Sequence, residues 1–251
     1  MTEDRAHMQQ NSVVNLRAAA PPAAWGVAVD NDAIVRLAHQ WQDSPMPPSQ
    51  WDYVGLPDWE GRIWIDFCIA AVSVVVCLWA PEGADQWEVD FEGKTLDDAP
   101  ALFSRFAEHL RPGGHGLDFG VFHSWSDADG LEFFSGRGHL QLISERVAQL
   151  RRVAEAMSLR WNGDGTRLVR AAEGDAGRIV ELLVGTIPGY RDETSSPLGL
   201  LRFNKLAHLA VSMMAARSPI PIHGLERFPV YPDYMLPVVL RHYGILRYAE
   251  A

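Results

Sequence analysis

Three blocks in the last third of the chain gather ionisable and aromatic residues: GYRDET (Gly189 to Thr194), RFNKLAHLA (Arg202 to Ala210) and YPDYMLPVVLRHYGILRY (Tyr231 to Tyr248). Each places polar side chains at the edge of an apolar helical pattern, a recurrence that packing alone does not require, and together they read as parts of a pocket. Asp233 stands between Tyr231 and Tyr234, shortly before a helix entered at Pro237. An acid there fits a helix N-terminal cap and equally a fixed catalytic anion. The two roles are compatible, because a carboxylate that accepts backbone N–H bonds is held rigid and ionised. The two tyrosines fit core aromatics, or walls for a flat group beside the acid.

Lys205 interrupts the apolar run FNKLAHLAVSMM, with His208 and Leu209 one turn on. It fits a surface lysine or a half-buried cation that needs an anion. Arg202 is placed one turn before it on the same expected helix, and the pair could receive a phosphate. Tyr190, Arg191 and Asp192 follow the Pro188-Gly189 turn, where an Arg-Asp pair suits a solvated turn as well as a binding edge. His109, His115 and His123 match no metal-ligand spacing, so no metal or other cofactor is expected. RPGGHG lacks the pattern of a phosphate-binding loop, and a serine nucleophile elbow is missing.

The elements that must position these residues follow from periodicity. Residues 1–24 show none and are expected to form a disordered tail, leaving 25–251 as a single domain. Asp30 and Asn31 can cap a helix through Ile34, Leu37, Ala38 and Trp41. The apolar, β-branched run from Ile63 to Trp79 predicts a strand, APEGAD a hairpin turn, and the alternation Trp87, Val89, Phe91 its partner. Asp97 and Asp98 open a helix bearing Leu102, Phe103, Phe106 and Leu110. Further helices are expected from Leu140 to Leu159, from Asp175 to before Pro188, from Leu200 to Ala216, and from Pro237 through the ILRY segment. The fold class is mainly α with a small antiparallel β-sheet.

Composition bounds the function. A chain of 251 residues with 47% hydrophobic residues can bury a sizeable core, and its formal net charge of -10 repels phosphate polymers, so duplex nucleic acid is not an expected partner. Cys68 and Cys77, both in apolar runs, read as buried thiols in a reducing compartment. No signal-peptide order and no membrane-length apolar run is found, so a cytoplasmic location is expected.

The three blocks resemble the SYRD, FYKRAQ and FADYRLPQVL segments of the queuosine salvage family, the queuosine 5'-phosphate N-glycosylases. The likeness extends upstream through VAVDNDAIVRLAHQW, through SVVVCLW and FEGKT, which resemble the family's NFxFW and YRGKT strands, and through LISERVAQLRRVAEAM, which resembles a helix with an EER pattern. It spans roughly residues 27 to 248. It implies a fold similar to helix-hairpin-helix DNA glycosylases and release of queuine from queuosine 5'-monophosphate for reuse in tRNA modification. Breaking that bond gathers positive charge on the ribose, which a fixed carboxylate stabilises while orienting water. The resemblance thus implies catalytic roles for Asp233 and Lys205. Substrate-binding roles are implied for Tyr190, Arg191, Asp192, Arg202, His208, Tyr231, Tyr234 and Trp79.

The chain departs from the family pattern on the base side. Val75 stands where relatives carry the Asn of NFxFW, and Ala99 and Pro100 replace the aromatics of SGYWSL. These changes suit a related modified nucleotide, or a non-catalytic ligand-binding relative, as alternative readings. Typical members also continue through a further C-terminal segment, so part of the substrate wall is expected to be absent or supplied by the N-terminal tail.

Overall fold

The computed structural model describes residues 26–44, 51, 58–109, 117–196 and 199–249. The expected 1–24 tail, Leu110 and the RPGGHG loop lie outside them. Element order is mainly helical, with three separate two-stranded antiparallel ladders among the described residues where one small sheet is expected. The chain divides into two compact units. One comprises Met1–Pro47, Asp192–Phe203 and Tyr231–Ala251, and the other Pro48–Arg191 and Asn204–Val230.

The larger unit is organised around a helix that the sequence disguises. Residues expected to begin a strand instead form helix α2 (Gly61–Val72), whose side chains from Trp64 to Val72 are all buried. A helix covered on every side shows no 3.6-residue stripe, so its apolar run carries no period to read. Its partners are helix α6 (Gly165–Ala171) and helix α8 (Lys205–Arg217). The Trp64 indole N–H donates to the Met213 carbonyl at 2.7 Å, and the Arg217 guanidinium lies 4.5 Å from the Trp64 ring centroid. Fully burying each of Ile65, Phe67 and Ile69 contributes roughly 1.5–3 kcal/mol relative to exposure, so this helix dominates the core.

The alternating segment does form a strand, β2 (Glu88–Phe91), with Trp87 and Val89 buried. Its partner is β3 (Lys94–Asp97) and not the run before APEGAD. Glu92 and Gly93, both at positive φ, make the two-residue turn, which matches the strands' twist better than a longer loop. Helix α3 (Asp98–His109) then buries Leu102, Phe103 and Phe106 as its spacing predicts. A 3-10 segment (Phe119–Ser124) and the short helix α4 (Asp127–Phe133), closed by a Ser126–Asp129 capping box, pack on the long helix α5 (Ile143–Trp161). Val147, Leu150 and Met157 are buried along α5, and left-handed Asn162 ends it. Helix α7 (Ala176–Thr186) is capped by Asp175, whose side chain accepts from the Arg178 N–H.

In the smaller unit β1 (Val27–Val29) pairs antiparallel with β6 (Leu246–Tyr248). The ILRY segment is therefore largely strand and not helix. Asp30 caps helix α1 (Asn31–Trp41) through the Ala33 N–H at 2.9 Å and receives the Arg247 guanidinium at 2.6 Å. Ile34 and Trp41 remain 42% and 49% exposed, so only Ala33 of this helix is buried. A hairpin of β4 (Glu193–Ser196) and β5 (Gly199–Arg202) and the helix α9 (Met235–His242) complete the described part. Cys68 is buried as expected but Cys77 is exposed, because it lies on irregular chain that turns Val76, Cys77 and Trp79 outward while Val74 and Leu78 stay in the core.

Candidate functional site

In the smaller unit, Asp233 sits in the Tyr-Pro-Asp-Tyr turn that leads into α9. Its backbone N–H donates to the Tyr231 carbonyl at 2.7 Å, and its own carbonyl accepts from Leu236 at 3.1 Å. The carboxylate Oδ1 accepts the Met235 N–H at 2.8 Å, satisfying one of the helix's first unpaired donors. The acid is thus fixed from both backbone and side chain, and the dipole of α9 favours its charge. Tyr231 is half-buried and Tyr234 is 56% exposed, on either side of it.

Arg202 ends strand β5 opposite Glu193, and its Nε donates to Glu193 Oε1 at 2.8 Å. Left-handed Asn204 separates it from α8, which starts at Lys205. The expected pair of cations one turn apart on a single helix is therefore corrected: Arg202 lies on a strand and belongs to an ion pair, while Lys205 occupies the first turn of α8, half-buried. The helix begins five residues later than the apolar pattern suggests, because Leu200 and Leu201 belong to the hairpin. Asp192 closes that hairpin with its carbonyl, which accepts the Phe203 N–H at 2.9 Å.

Tyr190 and Arg191 belong to the larger unit and diverge. Tyr190 is 1% exposed, and its hydroxyl donates to the Ile69 carbonyl at 2.7 Å, so it secures the last turn of α2 and offers no ring face to a ligand. Burial pushes its phenol well above the usual range. Arg191, with Asp192 after it, is exposed. A Cβ at Gly189 would fall 1.8 Å from Nε2 of Gln149, so a larger residue there would have to displace that buried side chain. His208, half-buried, places Nδ1 2.9 Å from the Asn204 carbonyl and its ring edge-on to Phe228 at 4.8 Å. A carbonyl only accepts, so Nδ1 carries the proton. Burial holds the imidazole below its usual pKa despite that bond, leaving a neutral ring with Nε2 as an acceptor.

Trp79 is 50% exposed at the end of an irregular segment that three side chains clamp by its carbonyls. Arg146, 1% exposed on the inner face of α5, donates to the carbonyls of Val74, Val76 (2.5 Å) and Cys77 (3.2 Å) and to that of Gln141 at 3.0 Å. Gln86 bridges the Leu78 carbonyl (2.9 Å) and the Ala80 N–H (3.0 Å), and Gln141 donates to the Trp79 carbonyl at 2.6 Å. Left-handed Cys77 is the strained link that this clamp stabilises. Burial lowers the guanidinium of Arg146 to about 10, which leaves it charged at neutral pH. Sequence reasoning did not single out these three residues. The available signal was an arginine at the position that joins Ile143 to Leu150 on the inner stripe. Val75, Ala99 and Pro100 are half-buried.

A second buried ionisable group is Asp66 on α2, fully buried, whose Oδ1 accepts the Gly165 N–H at 2.7 Å at the start of α6. Its Oδ2 meets Arg62 Nε at 3.2 Å and the Leu117 N–H at 3.3 Å. Desolvation outweighs these partners and raises its pKa to about 7. No group of three potential metal ligands occurs among the described residues, and His123 lies against Ser158 at 3.3 Å. Nor is any helix among them long and apolar enough to cross a membrane.

Comparison with known proteins adds the chemistry. The family model described as queuosine salvage protein matches residues 57–251. A protein of Sphaerobacter thermophilus named queuosine 5'-phosphate N-glycosylase/hydrolase is 27% identical over 233 residues, 91% of this chain and 71% of that protein. Proteins of the same name from Mus musculus and Bos taurus are 24% and 25% identical over 115 residues, 44% of this chain and 34% of theirs.

Proposed function

As the chain belongs to the queuosine salvage protein family, we propose that it is a hydrolase of the N-glycosidic bond of queuosine 5'-monophosphate, releasing queuine for tRNA modification. The observation that carries this reading is Asp233, a carboxylate fixed by the Met235 N–H at the entrance of α9 and flanked by two tyrosines. As the bond breaks, positive charge grows on the ribose ring. A carboxylate already oriented by the backbone stabilises that charge without reorganising, and orients the attacking water. Lys205, in the first turn of α8, supplies a cation for the 5'-phosphate or the reacting centre. Arg191 and Asp192 offer polar contacts, and Trp79 on its clamped segment offers a stacking face. Neutral His208 offers an acceptor at Nε2.

On this reading residues 25–251 form the catalytic domain, with a fold similar to helix-hairpin-helix DNA glycosylases, and act on a detached nucleotide in the cytoplasm without a cofactor. The substitutions Val75, Ala99 and Pro100 make the base side more apolar and favour a relaxed or altered base choice. Losing one buried hydrogen bond there costs about 1–3 kcal/mol of discrimination. A panel of purine, pyrimidine and deazapurine nucleotides, with the matching nucleosides, tests it. The expected result is queuine release from the queuosine nucleotide accompanied by turnover of related bases. Turnover of none would make the chain a ligand-binding relative.

A further inference from the structure

Along α9 and strand β6, the smaller unit contains a groove of about 490 Å³ lined by Val238, Arg241, His242, Leu246, Arg247 and Tyr248. The groove begins at Val238, about one turn into the helix, and neither Asp233 nor its flanking tyrosines line it. The groove is thus separate from the acid-bearing turn.

Its charge is opposite to that of the protein, whose formal net charge is -10. Two arginines and a histidine face a space with Val238 and Leu246 on its walls. Cations in a last helical turn ordinarily answer the helix dipole, but that end carries only about half an elementary charge, and Arg247 is on β6, not on the helix. Asp30 engages one end of the Arg247 fork at 2.6 Å. Arg241 has no carboxylate partner among the described residues. Its guanidinium carbon lies 4.8 Å from the centroid of the Tyr248 ring, a cation–π contact that restrains the side chain and leaves its N–H groups for an acceptor. A pre-oriented fork of this kind matches the oxygens of a phosphate monoester bidentately. The groove is open to solvent, and Val238 and Leu246 offer apolar surface beside the cations.

We propose that this groove is a second anion site, which takes the phosphate of a nucleoside 5'-monophosphate between Arg241, His242 and Arg247 and packs its organic part on Val238 and Leu246. The assignment stands apart from the hydrolase reading, since none of its residues is given a role in the chemistry.

The test is calorimetric titration of the intact protein with adenosine 5'-monophosphate and with adenosine, repeated on Arg241→Gln/His242→Gln. Both replaced side chains are exposed, and Arg241→Gln alone serves if the double variant does not fold. A saturable nucleotide event, absent with adenosine and weakened at least about tenfold in the variant, with queuosine nucleotide hydrolysis unchanged, is the expected result. Arg241→Lys keeps the charge without the fork and should fall between. No saturable event in the intact protein, or an identical isotherm in the variants, overturns the proposal.

Discussion

Replacing Arg146 with Met should cost about 3 kcal/mol of stability and disturb the segment that presents Trp79. The side chain donates to four carbonyls, at Val74, Val76, Cys77 and Gln141. A hydrogen bond from a charged group contributes a net of about 1.5 kcal/mol at the low end, or roughly 6 kcal/mol for four. Against this stands the cost of keeping a guanidinium in the core, with its pKa lowered from 12.5 to about 10, which is equivalent to roughly 3 kcal/mol at neutral pH. The difference is close to 3 kcal/mol. Met matches the length and apolar stem, so packing along α5 changes little and the loss reports on the clamp. Urea denaturation measures it, and amide hydrogen exchange across residues 73–80 measures the segment's mobility. A loss below about 1 kcal/mol with unchanged exchange would refute the clamp.

Asp66 gives a pH dependence whose sign is fixed by its raised pKa: the acid is protonated longer in the folded than in the unfolded chain, so its contribution favours folding at low pH and is lost as pH rises from 3.8 through about 7. Between pH 5 and 8 that amounts to roughly 2–3 kcal/mol, and denaturation of Asp66→Asn across this window should lack that slope while wild type shows it. Lys205→Met should raise KM for the queuosine nucleotide at least about tenfold while sparing the nucleoside, if the cation meets the phosphate. Equal losses on both substrates would remove that role from Lys205.

Much of the helical framework was legible because its helices bury one stripe. Spacing locates α3, α5 and α7, and Asp30 and Asp175 mark two starts through the side-chain bonds they make. The misreadings share a cause. The run expected as a strand is a helix buried all round, where periodicity vanishes, and Leu200 and Leu201 extend an apolar pattern across a hairpin into α8. Short α4 and α6 are held by capping and tertiary contact and not by a stripe. In the candidate site, Asp233 was readable as an acid between tyrosines at a helix entrance. Tyr190 looked similar in sequence, yet its hydroxyl is consumed by Ile69, a contact between residues 121 positions apart that no local pattern encodes. The carbonyl clamp of Arg146, Gln86 and Gln141 is hidden for the same reason.

The most direct test of the account compares wild type with Asp233→Asn on queuosine 5'-monophosphate, following free queuine by mass spectrometry. Asn keeps the shape and can still accept the Met235 N–H through its carbonyl oxygen, so the fold should persist while the negative charge is lost. The expected result is queuine release by wild type and a rate at least about 100-fold lower in the variant, with the same melting temperature. Equal rates in the two proteins, or no queuine from wild type, would contradict the central claim.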